Sequence, residues 1–372
     1  MCGSYRRGGG CKVIEFSTDS RSGFVMPQWL SNLLLPLSWL YFVGLKVYLF
    51  AYKIGLRRRS RLPCCVVSVG NLTFGGTGKS PTVRAICEAL ISRGVRIAVV
   101  SRGHGGAFSA VGAVVSDGEH RQLSPVDSGD EPAALADVLH GVPIVIGKDR
   151  RAAGMLACER FKPDVIVLDD GMQYWQLERD VEIALVDAAR PFGNGRLLPA
   201  GDLREPITGI RRADVVLVTG LESASAEEAA SAMGRVCKIV YGSIILTAKR
   251  CVRAVIDWSD KREISADELS RMRLVAVSGI ARHGSFMNML ESAGIEVCSE
   301  IAFGDHCPYN LRQVDSIRRA VLENNAHAII TTAKDAVKLT DKGFRVLVLD
   351  IEMRIEGMDK IIELIADAGG RS

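Results

Sequence analysis

The ten cysteines (positions 2, 11, 64, 65, 87, 158, 237, 251, 298 and 307) include no C-x-x-C pair and no paired spacing. A zinc site and a disulfide framework are therefore not expected, and the thiols read as reduced residues of a cytosolic chain. Excess charge is also scarce: the net charge is +4, and no Lys/Arg-rich stripe is interleaved with aromatics. Nucleic acid is accordingly not expected as a partner. Residues 1–24 carry no apolar run of their own, and Cys2 and Arg6-Arg7 are not followed by a hydrophobic stretch at secretory distance. That argues against a lipoprotein, Sec or twin-arginine signal, and residues 1–27 read as a loose leader.

What is present is globular. With 372 residues, 48% of them hydrophobic and 24% charged, the chain is expected to form two domains. Residues 29–45 lack any charge, and apolar residues continue past Lys46 and Lys53 to the basic run Arg57-Arg58-Arg59-Ser60-Arg61. The uncharged stretch falls short of the roughly 20 residues that a spanning helix needs. On a helix begun near Pro36, Lys46, Lys53 and Arg57 share a narrow stripe, which is the pattern of a helix lying in a membrane interface with its arginines on anionic lipid. Residues 28–60 are thus expected to be a membrane-associated helix.

Residues 63–69 form a short β-branched run leading into Gly70-Asn71-Leu72-Thr73-Phe74-Gly75-Gly76-Thr77-Gly78-Lys79-Ser80, and a helical pattern follows. Strand, glycine loop and helix are the context that a phosphate-binding loop requires. The loop's N–H groups can close on phosphate oxygens, Lys79 can reach the β/γ-phosphates and Ser80 can ligate Mg²⁺, so residues 73–80 are the expected ATP site. Thr73 stands where the common signature has its first glycine. A second apolar run, 165–168, ends in Asp169-Asp170, an acid at a strand's carboxyl end suited to Mg²⁺. Further strands at 95–100, 181–186 and 215–218 predict an α/β fold with a doubly wound parallel sheet of the P-loop NTPase type. Arg102, Arg150, Arg196 and Arg204 fall near predicted strand ends, where they can hold phosphates; for Arg204-Glu205 the competing reading is a local ion pair.

The order of motifs carries a resemblance. Leu35-Pro36-Leu37-Ser38-Trp39-Leu40-Tyr41, the loop through Pro81, Gly129-Asp130-Glu131-Pro132, Asp169-Asp170-Gly171-Met172-Gln173, Leu197-Leu198-Pro199-Ala200-Gly201 with Arg204-Glu205-Pro206, Ser278-Gly279-Ile280, Asp305-His306 and Thr331-Thr332-Ala333-Lys334-Asp335 together resemble the tetraacyldisaccharide 4'-kinase family of lipid A synthesis. The likeness runs from about Leu30 nearly to the end of the chain. It implies a kinase on the cytoplasmic face of the inner membrane, using ATP and Mg²⁺ to phosphorylate a lipid A disaccharide precursor, with membrane lipids as its surroundings.

The same resemblance implies a P-loop kinase domain (61–238), a two-stranded linker (239–262) and a smaller C-terminal α/β domain (263–372). The linker is expected as a hairpin of 239–248 and 252–257, and the second domain as strands at 274–278, 328–331 and 346–349. Asp130 and His306 match the family's paired proton acceptors, and Asn71, Gln173, Arg102, Arg150, Arg204 and Glu205 are expected to face the substrate. On residues alone, Asp130 reads as a helix cap and Asp305-His306 as a surface turn. The chain departs from the family at Tyr174, commonly His, and at Asp202, commonly Pro; a tyrosine there does not serve as a base near neutral pH. The rival readings are a P-loop GTPase and a ParA-like membrane-docking ATPase. Lys334 and Asp335 are adjacent, whereas a guanine-reading motif separates them by one residue.

Overall fold

The computed structural model describes residues 26–370, so the expected leader falls almost wholly outside the described residues. Twelve strands among them form one sheet. In chain order these are β1 (Cys65–Asn71), β2 (Ile97–Ser101), β3 (Ala113–Ser116), β4 (Ile144–Ile146), β5 (Val165–Asp169) and β6 (Val181–Asp187). They continue with β7 (Val215–Thr219), β8 (Ile244–Asp257), β9 (Leu274–Ser278), β10 (Ser299–Ala302), β11 (Ala328–Thr331) and β12 (Val346–Glu356). The spatial order is β10-β9-β11-β12-β8-β7-β6-β1-β5-β2-β4-β3. Most neighbours are parallel, and the β-branched runs from 65 to 69 and 165 to 169 are buried on both faces, as parallel strands under two helix layers must be.

Two parallel blocks meet at a single antiparallel ribbon. β8 pairs in parallel with β7 through Val215 to Val218, then runs on to pair antiparallel with β12 from Thr247 to Asp257. β12 in turn pairs in parallel with β11 only over Val346 to Val348. Because the ribbon is antiparallel, the carboxyl ends of the strands in one block face the carboxyl ends in the other. Ligand sites of open α/β sheets lie at those ends, so this topology puts two such edges on one cleft.

The ribbon corrects the expected hairpin. Residues 244–257 make one continuous strand, and its partner comes from about ninety residues later, at 346–356. The final helix, Met358–Gly369, also leaves the 263–372 block. Its Ile361, Ile362 and Ile365 fall on one helical face and pack into the core formed by β1 and the phosphate-loop helix Lys79–Ile91.

The N-terminal apolar segment is a short helix, Gln28–Leu33, followed by Leu35–Lys53 with Pro36 in its first turn. Here too the structure differs from expectation. The helix ends at Lys53, so Arg57 lies outside it and does not continue the lysine stripe. The arginine run instead turns back along the first block, where Ser60 bridges to Leu177 and the Arg59 guanidinium stacks 5.2 Å from the Trp175 ring centre.

Candidate active site

β1 delivers the glycine loop to the cleft. Gly78 caps the following helix at φ +86°, in the left-handed region that a β-carbon strains, and a side chain there would also meet Met353 of β12. The front of the loop is strapped by residues 202–204: Phe74 N–H donates to Asp202 O at 2.9 Å, Arg204 N–H donates to Leu72 O at 2.8 Å, and Thr73 bridges to Leu203. Thr77 is buried and its carbonyl accepts from the Thr219 hydroxyl at 2.9 Å. Lys79 and Ser80 open the helix, so the loop's N–H groups and the helix's positive end share one concavity.

β5 places two carboxylates beside this loop with opposite fates. Asp169 is buried and accepts a hydrogen bond from the Ser101 hydroxyl at 3.2 Å. Burial, aided by Glu131 and Asp170, pushes its carboxyl up to about 7. Asp170 sits one residue on, at φ +55°, and is ringed by cations: Lys79 at 3.7 Å and Arg204 at 2.8 Å. Burial would raise its carboxyl as well, but Lys79 and Arg204 outweigh that and hold it below the ordinary carboxylate value.

A polar web joins the expected substrate residues. Lys79 donates to Asn71 Oδ1 at 3.2 Å, and Gln173 Nε2 donates to Asn71 O and to Glu205 Oε1, both at 2.9 Å. Arg204 donates to Gln173 Oε1 at 3.2 Å and stacks 4.6 Å from the Phe74 ring centre. Arg204 and Glu205 are not a local ion pair: Arg204 pairs with Asp170, while Glu205 takes a two-armed bond from Arg212 at 2.6 Å. Arg150 is buried over the Tyr174 ring at 5.0 Å, and burial together with neighbouring Arg102 lowers its guanidinium while Asp170 and Asp169 draw it the other way. Asn71 Nδ2, Thr77 Oγ1, Arg150 Nε and Arg204 Nε are buried without a hydrogen-bond partner among the described residues. Orphaned polar atoms of that kind are a costly arrangement that a polar ligand relieves.

Tyr174 donates to Asp149 Oδ1 at 2.8 Å, and burial followed by that carboxylate raises its phenol, so the residue acts as a donor. Arg196 does not hold a phosphate position. Its guanidinium donates to Ser31 Oγ and Asn32 Oδ1, both at 2.8 Å, and thereby ties the N-terminal helices to residues 197–204.

Across the cleft, the structure brings together residues 176 positions apart. Asp130 is the first residue of the helix Asp130–Val138, behind Gly129 at φ +90°, where a β-carbon would strike the His104 carbonyl. His306 stands in a loop of the second block at φ +58°, and its Nδ1 lies 3.3 Å from Asp130 Oδ2. The helix cap is therefore Gly129, and the surface turn of His306 faces into the cleft.

The sequence reading missed the cations around this pair. Lys338 of the helix Ala333–Leu339 donates to Asp130 Oδ2 at 2.8 Å, and Lys334 lies 3.2 Å from His306 Nε2 while pairing with Asp305 at 2.8 Å and Glu131 at 3.6 Å. An ammonium has only hydrogens to offer, so Nε2 accepts, Nδ1 carries the proton, and His306 donates to Asp130. The only advance signal for these lysines was their place in and just after the Thr331–Asp335 motif. A second cross-cleft link, Arg282 to Asp187, also went unpredicted.

Residues 30–368 match the family model described as tetraacyldisaccharide-1-P 4'-kinase. A Geobacter metallireducens protein named tetraacyldisaccharide 4'-kinase is 41% identical over 82% of this chain and 88% of its own length. One from Syntrophus aciditrophicus, with the same name, is 38% identical over 90% and 92% respectively. Among solved structures, Aquifex aeolicus LpxK in complex with ATP superposes with a TM-score of 0.76 at 31% identity, covering 91% of this chain and 99% of that one.

Proposed function

The chain belongs to the tetraacyldisaccharide-1-P 4'-kinase family, and from that premise we propose how its residues move the γ-phosphate of ATP to the 4'-hydroxyl of a tetraacyldisaccharide 1-phosphate in lipid A synthesis. The observation that carries the mechanism is the approach of Asp130 to His306 between the two strand-end edges. ATP lies with its phosphates on residues 73–80, and Lys79 exchanges its contacts with Asn71 and Asp170 for the β/γ-phosphate oxygens.

Among the described residues no three His, Cys, Asp or Glu side chains cluster tightly enough to cage a cation. Ser80, Asp169 and Asp170 offer instead the one or two carboxylates and a hydroxyl that suit Mg²⁺ shared with a nucleotide, and the buried Asp169 forms no ion pair among the described residues. Those residues would hold a Mg²⁺ ion, which would supply charge neutralisation at the phosphates. Arg150, Arg102 and Arg204 line the same rim for phosphate oxygens of either substrate.

In the transfer step the sugar oxygen forms a bond to the γ-phosphorus, the bond to the β–γ bridging oxygen breaks, and the hydroxyl proton passes to Asp130. ADP leaves with the electron pair of the broken bond. His306, donating to Asp130, fixes the carboxylate and is not the first proton acceptor. Asn71, Gln173 and Glu205 orient the sugar.

The helix Leu35–Lys53 is long and apolar enough by composition to cross a membrane, yet Ser38 and Tyr41 bond it to the carbonyls of Leu197 and Arg204, and Ser31 bonds the preceding helix Gln28–Leu33 to that of Ala200. A helix bound sideways to the catalytic block fits the interfacial arrangement, on the cytoplasmic face of the inner membrane where ATP is available. The block built on residues 61–238, with the final helix Met358–Gly369 packed into it, and the smaller C-terminal block that begins at residue 263 then supply nucleotide and His306 respectively, with the β8/β12 ribbon between them.

Transfer of γ-³²P from ATP to an acyl-disaccharide 1-phosphate tests the reading. Asp130→Ala and His306→Ala should each lower kcat about 10²-fold or more, with the double mutant little worse than the worse single mutant. Fully multiplying losses would show that the two act separately. Competition by GTP as strong as that by ATP would favour the GTPase rival.

A further inference from the structure

Asp130 Oδ2 is engaged twice, by His306 Nδ1 and by the Lys338 ammonium, whereas no donor meets Oδ1 among the described residues. We propose that Lys338 is a positioning residue that turns Asp130 so that Oδ1 faces the acceptor hydroxyl, an inference that rests on Asp130 being the proton acceptor. A carboxylate that must receive a proton from a bound sugar needs one oxygen anchored and the other free; two donors on one oxygen achieve this.

The lysine is itself held on several sides. Its side chain is 11% exposed, and it also donates to Cys307 O at 2.8 Å, lies 3.9 Å from Asp335 Oδ1 and sits 5.4 Å from the Tyr309 ring centre. Asp335 is fully buried and fixed through Oδ2 by Gly279 N–H and the Thr332 hydroxyl, both at 2.9 Å. Cys307 lies in a loop whose His306 and Tyr309 both take positive φ, at +58° and +50°. One ammonium thus binds the strained loop that carries His306 and the carboxylate that His306 meets. Lys334 does not duplicate this role, since its contacts go to Asp305, Glu131 and His306 Nε2.

Full-length K338M, K338R, D130N and D130N/K338M are compared by γ-³²P transfer, with KM for ATP and melting temperature measured on each. K338M is expected to lose about 10- to 100-fold in kcat with KM for ATP little changed, because a misturned reacting group costs rate and not nucleotide binding. K338R should recover part of that loss, since a guanidinium still reaches Oδ2 as a donor. D130N/K338M should be no slower than D130N, because no carboxylate remains to be turned.

A K338M enzyme with wild-type kcat, a double mutant whose losses multiply, or a K338R enzyme no better than K338M would overturn the proposal. D130N with wild-type kcat would overturn the base assignment itself, whereas an inactive D130N beside an active K338M sinks only the lysine. If K338M does not fold, K338Q carries the same comparison.

Discussion

Lys79 bonds to Asn71 and sits near Asp170, both of which also touch the Arg204–Gln173 web, so its charge is directed at the phosphate position without supporting the core. Lys79→Ala should therefore keep the wild-type melting temperature and lose at least about 10²-fold in kcat, the scale on which a fixed charge acts in a transition state. Retention of more than a tenth of wild-type turnover would exclude this loop from catalysis. Asp169 makes the opposite trade. Its carboxyl is pushed up from 3.8 to about 7, chiefly by burial, so the folded protein binds that proton more tightly than the unfolded chain does. The stability this contributes is fully present below about pH 4 and is lost as pH rises through about 7. Asp169→Asn should thus melt higher than wild type at pH 8 in the absence of nucleotide, with the gap closing by pH 5, while transfer is abolished. Thermal melts at the two pH values decide it; an equal gap at both would show that desolvation is not the cause. These residues were legible because each chemical type follows an apolar strand at the position where phosphate or cation chemistry needs it. The Asp130–His306 contact was not: two lone loop residues 176 positions apart share no pattern, and only the family resemblance joined them.

The helix Leu35–Lys53 shows what an element-level pattern reveals and what it leaves out. Its apolar composition announced a membrane segment, yet its docking runs through the hydroxyls of Ser38 and Tyr41, joined by Ser31 of the short helix before it, and no periodicity marks them. Trp39, Leu40, Val47 and Phe50 remain exposed, at 57–68% of their surface. On the proposed interfacial arrangement that face meets lipid, each side chain contributing about 1.5–3 kcal/mol when buried. Removing the whole segment would also release the Arg204 carbonyl from Tyr41, so attachment is better tested by replacing those four residues with Ser or Asn and leaving the hydroxyls in place. The variant should fail to float with vesicles and should raise KM for lipid far more than KM for ATP. Flotation equal to wild type would assign attachment to another surface. The ribbon was misread for a related reason. β8 has the composition of two strands broken near Arg250 to Val252, and a local hairpin satisfied it; the true partner, β12, is fixed by tertiary pairing that sequence spacing does not encode.

At the scale of the molecule, the proposed cleft can work only if the block carrying the glycine loop and the block carrying His306 keep register, and one buried ion pair joins the phosphate-loop helix to the ribbon between them. Arg84, one turn into that helix, donates through both guanidinium arms to Asp350 of β12, and both residues are less than a tenth exposed. Asp350 stands where the β8/β12 register shifts, so the pair pins the ribbon at its irregular point. Burial alone would lower the Arg84 guanidinium, but Asp350 and Glu88 more than offset it, and it is held above its ordinary value. Arg84→Met leaves an unpaired buried carboxylate, which should cost about 3–5 kcal/mol. Since the helix begins at Lys79, the same change should raise KM for ATP and lower kcat together, unlike a change at Asp130. Replacing Asp350 by Leu as well removes the stranded charge, so the double mutant should regain most of the lost stability. It should not regain all of the activity, because an apolar contact does not fix the angle between helix and ribbon as a two-armed bond does. Chemical denaturation and steady-state kinetics on the four proteins separate these outcomes. If stability and activity recover to the same extent, the pair is a stability feature alone, and the register between the blocks is set elsewhere.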